Sequence, residues 1–255
     1  MIKFIQHRYR KYTSRLFFLF YRWRNIILQR KKILLYTDSR GKDILKRNDY
    51  DYYSQKLAKK YAVKPFLCPE KWTTTLDFLQ LIKTIKLDKF DLIILHTGVV
   101  DFSPRFKSDL CSTIYPQKKA IFDEIFGEAI ISQHLTNDLG VQYENEMTCN
   151  MYSLKMAKKH LLPQLKKIDN LIWISGNIAF PNWRGNYFRD RPQNINQNDD
   201  YFYLFEKYLP NVVSTMNWTT EEVKEYTYDI IHPNKKGSDV IFQKLEEVIK
   251  AIPAK

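Results

Sequence analysis

The chain is poor in cysteine. Cys68, Cys111 and Cys149 are spread through 255 residues, form no CxxC pair and make no even set, which argues against a disulfide framework and for a reducing compartment. There is no HExxH, no clustered set of metal ligands and no glycine-rich phosphate loop, so neither a metal nor a tightly bound cofactor is expected. No internal repeat is present. Glycine and proline number only 7 and 10, too few for a low-complexity chain, while the 44% hydrophobic content supplies a real core. The apolar run "LFFLFY" at 16–21 is far shorter than the roughly 20 residues that span a bilayer. Arginines follow it where a signal peptide would carry a small-residue cleavage site. Acidic residues are missing from one place: residues 1–32 hold ten Lys/Arg and no Asp or Glu. Of the net +13, +10 belongs to that arm, which leaves +3 on residues 33–255. A nearly balanced body argues against nucleic acid as a partner, since that binding draws on many cationic contacts.

Within the arm, Ile5, Tyr9, Tyr12, Leu16, Leu19, Trp23 and Ile27 recur at steps of three and four, the spacing of one helical face. Arg8, Lys11, Arg15 and Arg22 fall largely off it. A basic amphipathic helix with aromatic residues suits an anionic membrane surface; packing on its own domain or on a partner protein is the alternative. The expected location is cytoplasmic, peripheral on the inner membrane if the arm binds there.

From residue 33 onward, apolar runs alternate with helical patterns. "ILLYT" (33–37), "VKPFLC" (63–68), "DLIILHT" (91–97), "NLIWIS" (170–175) and "NVVST" (211–215) read as strands. Helical patterns cover 43–61, 74–85, 151–168, 201–209 and 235–251. This alternation predicts a three-layer α/β/α domain over 33–255, with a mostly parallel sheet of about five strands. Residues 102–150 read as an insertion with a short helix at 119–126, and 176–200 as a long polar loop.

Ligands gather at the carboxyl ends of strands in open α/β sheets. Three polar clusters fall at such positions: Thr37-Asp38-Ser39-Arg40-Gly41 after the first strand, His96-Thr97-Gly98-Val99-Val100-Asp101 closing the third, and Asp229-Ile230-Ile231-His232 before the last helix. Taken alone, Asp38 and Ser39 are ordinary helix caps, Asp229 a turn residue, and His96 a satisfied core histidine. Their order is what stands out.

In these residues the chain resembles the SGNH (GDSL-like) hydrolase superfamily. Thr37-Asp38-Ser39 matches its Gly-Asp-Ser block, Gly98-Val99-Val100-Asp101 its Gly-x-Asn-Asp block, and Asp229-x-x-His232 its closing motif. The resemblance spans roughly 33–251 and implies a flavodoxin-like three-layer fold with acyl-ester chemistry. Carried over, Ser39 is the nucleophile, His232 its base and Asp229 the carboxylate that orients the base. The N–H groups of Ser39 and of Arg40 or Gly41 would hold the oxyanion, with Gly98, Asp101 and Arg105 about the substrate. Two departures alter the oxyanion hole: Val100 stands where the family has an asparagine donor, and "CPEKWTTT" (68–75) lacks the family's glycine. His96, Thr97 and Arg105 are candidate substitutes.

Arg105 is also a candidate partner for an anionic substrate group. The loop 180–194 carries Trp183, Tyr187 and Phe188 among polar residues, suited either to a sugar ring or to pinning the loop to its own domain. The reading is a serine esterase or O-acyltransferase acting on an acylated carbohydrate, such as a bacterial surface polysaccharide, or on another small ester. The alternative, drawn from Val100, is a non-catalytic glycan-binding or scaffold protein on the same fold.

Overall fold

A computed structural model describes residues 2–45, 50–136 and 140–253, with side chains from residue 14 onward. The sheet comprises β1 (Lys32–Thr37), β2 (Ala62–Leu67), β3 (Leu92–His96), β4 (Leu171–Ile174) and β5 (Val212–Val213). Its order is β2-β1-β3-β4-β5 and every pairing is parallel. The central strands β1, β3 and β4 are buried on both faces and read as continuous apolar runs, while β2 and β5, at the two edges, are only partly buried. Alternate side chains feed opposite layers. Leu34, Tyr36, Ile93, Leu95, Leu171 and Trp173 enter one buried cluster, and Ile33, Leu35, Leu92, Ile94, Ile172 and Ile174 the other.

The helices that matter for the site are α1 (Ile2–Ile27), α2 (Tyr53–Lys60), α3 (Thr75–Ile82), α4 (Tyr115–Phe126), α5 (Gln197–Tyr208), α6 (Thr220–Tyr226) and α7 (Lys235–Ala251). Leu57 of α2 and Ile241, Leu245 and Ile249 of α7 lie in one layer; Leu76, Phe78 and Leu79 of α3 and Phe122 of α4 lie in the other. The helix expected from residue 43 begins at Tyr53, where the Gln55 side chain takes the Tyr52 N–H; 46–49 lie outside the described residues. The pattern at 151–168 is a helix over 154–165 with a wider turn at 157–161. Pro163 lacks an N–H and crowds the carbonyl one turn back, which explains that break. Helix α6 was not expected; Thr219 caps it, accepting the Glu222 N–H while the Glu222 side chain takes the Thr219 N–H.

The insertion at 102–150 joins the domain's core. Leu110, Ile114, Ile121, Phe122 and Phe126 share the cluster of the β4 tryptophan. Its short strands 105–106, 142–143 and 146–149 form a separate antiparallel sheet. Helix α1 lies against β2 at the edge of the main sheet and against α2. The face it turns inward is not the expected stripe. Phe18 and Asn25 are buried, with Phe17 and Tyr21 packed beside them, while Leu16, Leu19, Trp23 and Ile27 are exposed. The side chains of Ile5, Tyr9 and Tyr12 lie outside the described residues. Between residues 16 and 28 nearly every helical direction carries an apolar residue, so periodicity alone did not fix the inward face.

Candidate active site

The end of β1 turns sharply. Asp38 donates its N–H to the His96 carbonyl at 2.8 Å, continuing the sheet for one residue. Its carboxylate then caps the short turn Ser39–Gly41, accepting the Arg40 N–H at 2.9 Å. Asp38 is therefore the cap, and the Ser39 side chain is left for another partner. Gly41 is required: a Cβ there would lie 1.9 Å from the Thr37 hydroxyl oxygen.

Arg40 turns inward and is only 2% exposed. Its Nε donates to both Asp38 carboxylate oxygens, its Nη2 to Oδ2 at 2.9 Å, and its Nη1 to the Ser175 carbonyl. The guanidinium is thus a buried internal brace. The Arg40 and Gly41 N–H groups, expected as oxyanion donors, are both engaged, by the Asp38 carboxylate and the Asp38 carbonyl. The Ser39 N–H has no hydrogen-bond partner among the described residues.

At the other end of the chain, residues 228–232 fold back on themselves, with the Tyr228 N–H bonding the His232 carbonyl at 2.8 Å. Asp229 Oδ1 accepts the N–H of Ile231 and of His232. Ile230, between the two functional residues, has φ +70°, a conformation strained for a β-branched side chain. It is held there by a buried side chain, by its N–H to Thr227 Oγ1 and by Asn177 Nδ2 on its carbonyl.

The two ends meet. Ser39 Oγ lies 2.9 Å from His232 Nε2, and His232 Nδ1 lies 2.9 and 3.0 Å from the Asp229 oxygens. With a carboxylate facing Nδ1, that nitrogen carries the proton, so Nε2 is free to accept from the Ser39 hydroxyl. Burial pushes the Asp229 carboxyl up, but hydrogen bonds from His232 and the Arg191 charge outweigh it and hold the group below its ordinary value. Asp229 thus stays ionised. The Tyr52 hydroxyl sits 3.1 Å from the Arg40 carbonyl and 3.0 Å from that of Pro233, bracing one turn against the other.

Sequence reading missed Arg191. Its Nη2 donates to the Asp229 carbonyl at 2.7 Å and lies 3.5 Å from the carboxylate, and its guanidinium stacks 3.6 Å from the centre of the Tyr187 ring. Gly185 lets this loop approach closely; a Cβ there would come within 2.3 Å of the Tyr228 carbonyl. The insertion supports the loop in turn. Asn194 bonds Thr148, and Arg189 sits over the stacked rings of Phe106 and Tyr143. Only the proximity of Arg191 to Tyr187 was visible in sequence, and it named no partner.

The remaining candidates separate. Asp101 is fully buried and takes the Thr75 N–H and the Tyr152 hydroxyl on Oδ1. Burial pushes its pKa up to about 6 against those two bonds. It ties the 68–75 loop to the end of β3. Gly98 has φ +129°, and a Cβ there would strike the Phe102 ring, so its part is in the backbone. His96 is buried with Nδ1 2.6 Å from the Tyr53 hydroxyl; burial and the Arg40 charge lower its pKa well below normal, leaving it neutral. The Thr97 hydroxyl bonds that of Thr75. Arg105 is the remaining candidate donor near Val100. Its Nη2 bonds the Val100 carbonyl, its guanidinium lies over the Trp72 ring, and its Nε has no partner. Burial lowers its pKa to about 10, so it remains cationic at neutral pH. Among the described residues no cluster of three or more His, Cys, Asp or Glu has metal-binding geometry.

Ser39, His232 and Asp229 come together in a relay at the carboxyl end of β1, in a parallel sheet of order β2-β1-β3-β4-β5. No family model and no curated protein matches the chain. Solved structures with some likeness include a Parabacteroides merdae protein described as a GDSL-like lipase, at 12% identity over 86% of this chain and 95% of that one, TM-score 0.47. The aryl esterase of M. smegmatis is 14% identical over 88% and 100% of the two chains, TM-score 0.44. A salicylyl-acyltransferase from a tetracycline biosynthetic pathway is 16% identical over 87% of this chain and 55% of that one, TM-score 0.38. These likenesses are loose, and the weight falls on the site's own geometry.

Proposed function

We propose that the chain is a serine ester hydrolase or O-acyltransferase whose substrate is an acylated carbohydrate. The observation that carries this is the unbroken relay from Ser39 Oγ through the His232 ring to Asp229. The Ser39 hydroxyl attacks the acyl carbon while His232 Nε2 takes its proton. The tetrahedral oxyanion collapses, the C–O bond to the leaving alkoxide breaks, and Nε2–H returns the proton to that oxygen. Water or a sugar hydroxyl then gives its proton to Nε2 and attacks the acyl-serine; the C–O bond to Ser39 Oγ breaks, and Nε2–H returns the proton to that oxygen. Asp229 keeps the imidazole in the productive tautomer.

Two donors support the oxyanion assignment: the unpartnered Ser39 N–H and the Arg105 guanidinium beside Val100. An arginine in place of a neutral asparagine also favours substrates bearing a negative charge near the scissile ester. The carbohydrate preference draws on Phe188, which is 76% exposed on the loop that holds Arg191. Trp183 and Tyr187 contact Phe180 and Arg191, and Phe188 itself contacts Tyr187 and Arg189 while keeping one ring face to solvent.

The test is hydrolysis of p-nitrophenyl acetate and of acetylated sugars by wild type and Ser39→Ala. The variant should lose about 10⁴-fold or more in kcat together with labelling by a fluorophosphonate. A wild type that neither hydrolyses nor labels would support the second reading, a glycan-binding scaffold, which Val100 favours because it removes a side-chain donor.

A further inference from the structure

The outward face of α1 is apolar along its described length. Leu16, Leu19, Phe20, Trp23 and Ile27 are 48–77% exposed, and at about 100° per residue they share one arc of the helix. Arg15 and Arg22 flank that arc on one side and Arg24 on the other. The opposite face is committed to the domain, with Asn25 Nδ2 donating to the carbonyls of Ala58 and Tyr61 at 2.8 and 2.9 Å. The helix is therefore fixed in place with its aromatic stripe turned out.

Beside its carboxyl end lies a cavity of about 330 Å³ whose wall includes Arg24, Arg30, Lys59, Lys60 and Lys250, with Glu246 as the one carboxylate. Lys60 pairs with Glu246 and Lys59 with Asp51. Arg24, Arg30 and Lys250 have no ion pair among the described residues. A concave cluster of uncompensated cations next to an exposed Trp/Phe/Leu stripe complements apolar tails below anionic phosphate. No described helix is long and apolar enough to cross a membrane, so the stripe suits a helix lying in the interfacial plane.

We propose that this face docks on an anionic phospholipid surface, with the stripe in the headgroup–acyl boundary and a lipid phosphate seated in the Arg24/Arg30/Lys250 cavity. The inference does not depend on the ester chemistry, because the Ser39 relay uses none of these residues.

The full-length protein should co-sediment with vesicles of phosphatidylcholine containing about one-third phosphatidylglycerol, and not with phosphatidylcholine alone. Arg30→Gln/Lys250→Gln should weaken that binding about 25-fold, at about fivefold per charge. Leu19→Gln/Trp23→Gln should abolish it. All of these side chains are exposed, and an unchanged circular dichroism spectrum and ester-hydrolysis rate would show that the variants stay folded. Brominated acyl chains should quench wild-type fluorescence more than that of Trp23→Phe. Failure to sediment with anionic vesicles, equal binding to neutral ones, or an undiminished Arg30/Lys250 variant would overturn the proposal. So would saturable binding of inorganic phosphate without vesicle binding. A dimer that dissociates on Leu19/Trp23 substitution, again without vesicle binding, would assign the stripe to a second copy of the chain instead.

Discussion

The two turns that meet at the site are built in different ways. The Ser39 turn is braced chiefly from within itself, with one bond each from Ser175 and Tyr52. Asp38 caps it, Arg40 locks Asp38, and both are buried. The Asp229–His232 turn contains a strained isoleucine and is held by distant groups: Arg191 and Gly185 from the long loop, Asn177 from the end of β4, Tyr52 from before α2. A nucleophile set by local chemistry should keep its place whenever the sheet forms. A base set by long-range contacts should be the part of the site that perturbation moves first.

Four substitutions probe this contrast. Arg40→Met removes half of a buried ion pair and should cost about 3–5 kcal/mol of stability, read as a lower urea midpoint, a large share of the roughly 5–15 kcal/mol of a typical domain. A folded, stable Arg40→Met protein would break the comparison, since the local brace would then be dispensable. Arg105→Ala should lower kcat about 10²–10³-fold, the cost of one oxyanion donor, with a smaller loss of stability than Arg40→Met. Full activity in that variant would return the oxyanion to backbone groups alone.

The third concerns pH. The Asp101 carboxyl is raised from 3.8 to about 6 in the folded protein, so the native state binds the extra proton between those values. Stability should therefore fall as pH rises through that window, by about 3 kcal/mol at about 1.4 kcal/mol per unit. Asp101→Asn keeps an acceptor for Thr75 and Tyr152 and should remove that slope from urea melts taken between pH 4 and 7. A slope unchanged by the substitution would show that the carboxyl is not the group responsible. The smallest effect expected is for Arg191→Gln, about 10–100-fold in kcat from the loss of a charged hydrogen bond and a smaller stability loss than Arg40→Met. If Arg191→Gln unfolds the protein while Arg40→Met merely slows it, the two turns have been assigned the wrong supports.

What the sequence disclosed follows the same division. The central strands showed because buried parallel strands leave unbroken apolar runs, and Ser39, Asp229 and His232 stood out only through the order of their motifs and its resemblance to the SGNH pattern, since each alone reads as a cap or a turn. Arg191 did not, because its meaning lies in the carbonyl and carboxylate of a residue 38 positions away. Ile230 looked like one more apolar residue; its positive φ has no compositional signature. The inward face of α1 stayed hidden because Phe17, Phe18 and Tyr21 are as apolar as the stripe opposite. Arg40 and Gly41 were expected to offer their N–H groups to substrate, yet a capping aspartate two or three residues earlier had already claimed both.

The seating of α1 on the outermost strand has a practical side. Lys31, just past the helix, bonds the carbonyls of Ile249 and Ile252 at the end of α7, so the first and last segments of the chain are fastened together. Cutting the chain near Lys31 would strip the cover from a row of unpaired strand groups, uncap the final helix and invite edge-to-edge clumping. Clumped protein pellets with or without lipid. The outer side of this helix can be rewritten residue by residue, but the helix itself is part of the wall.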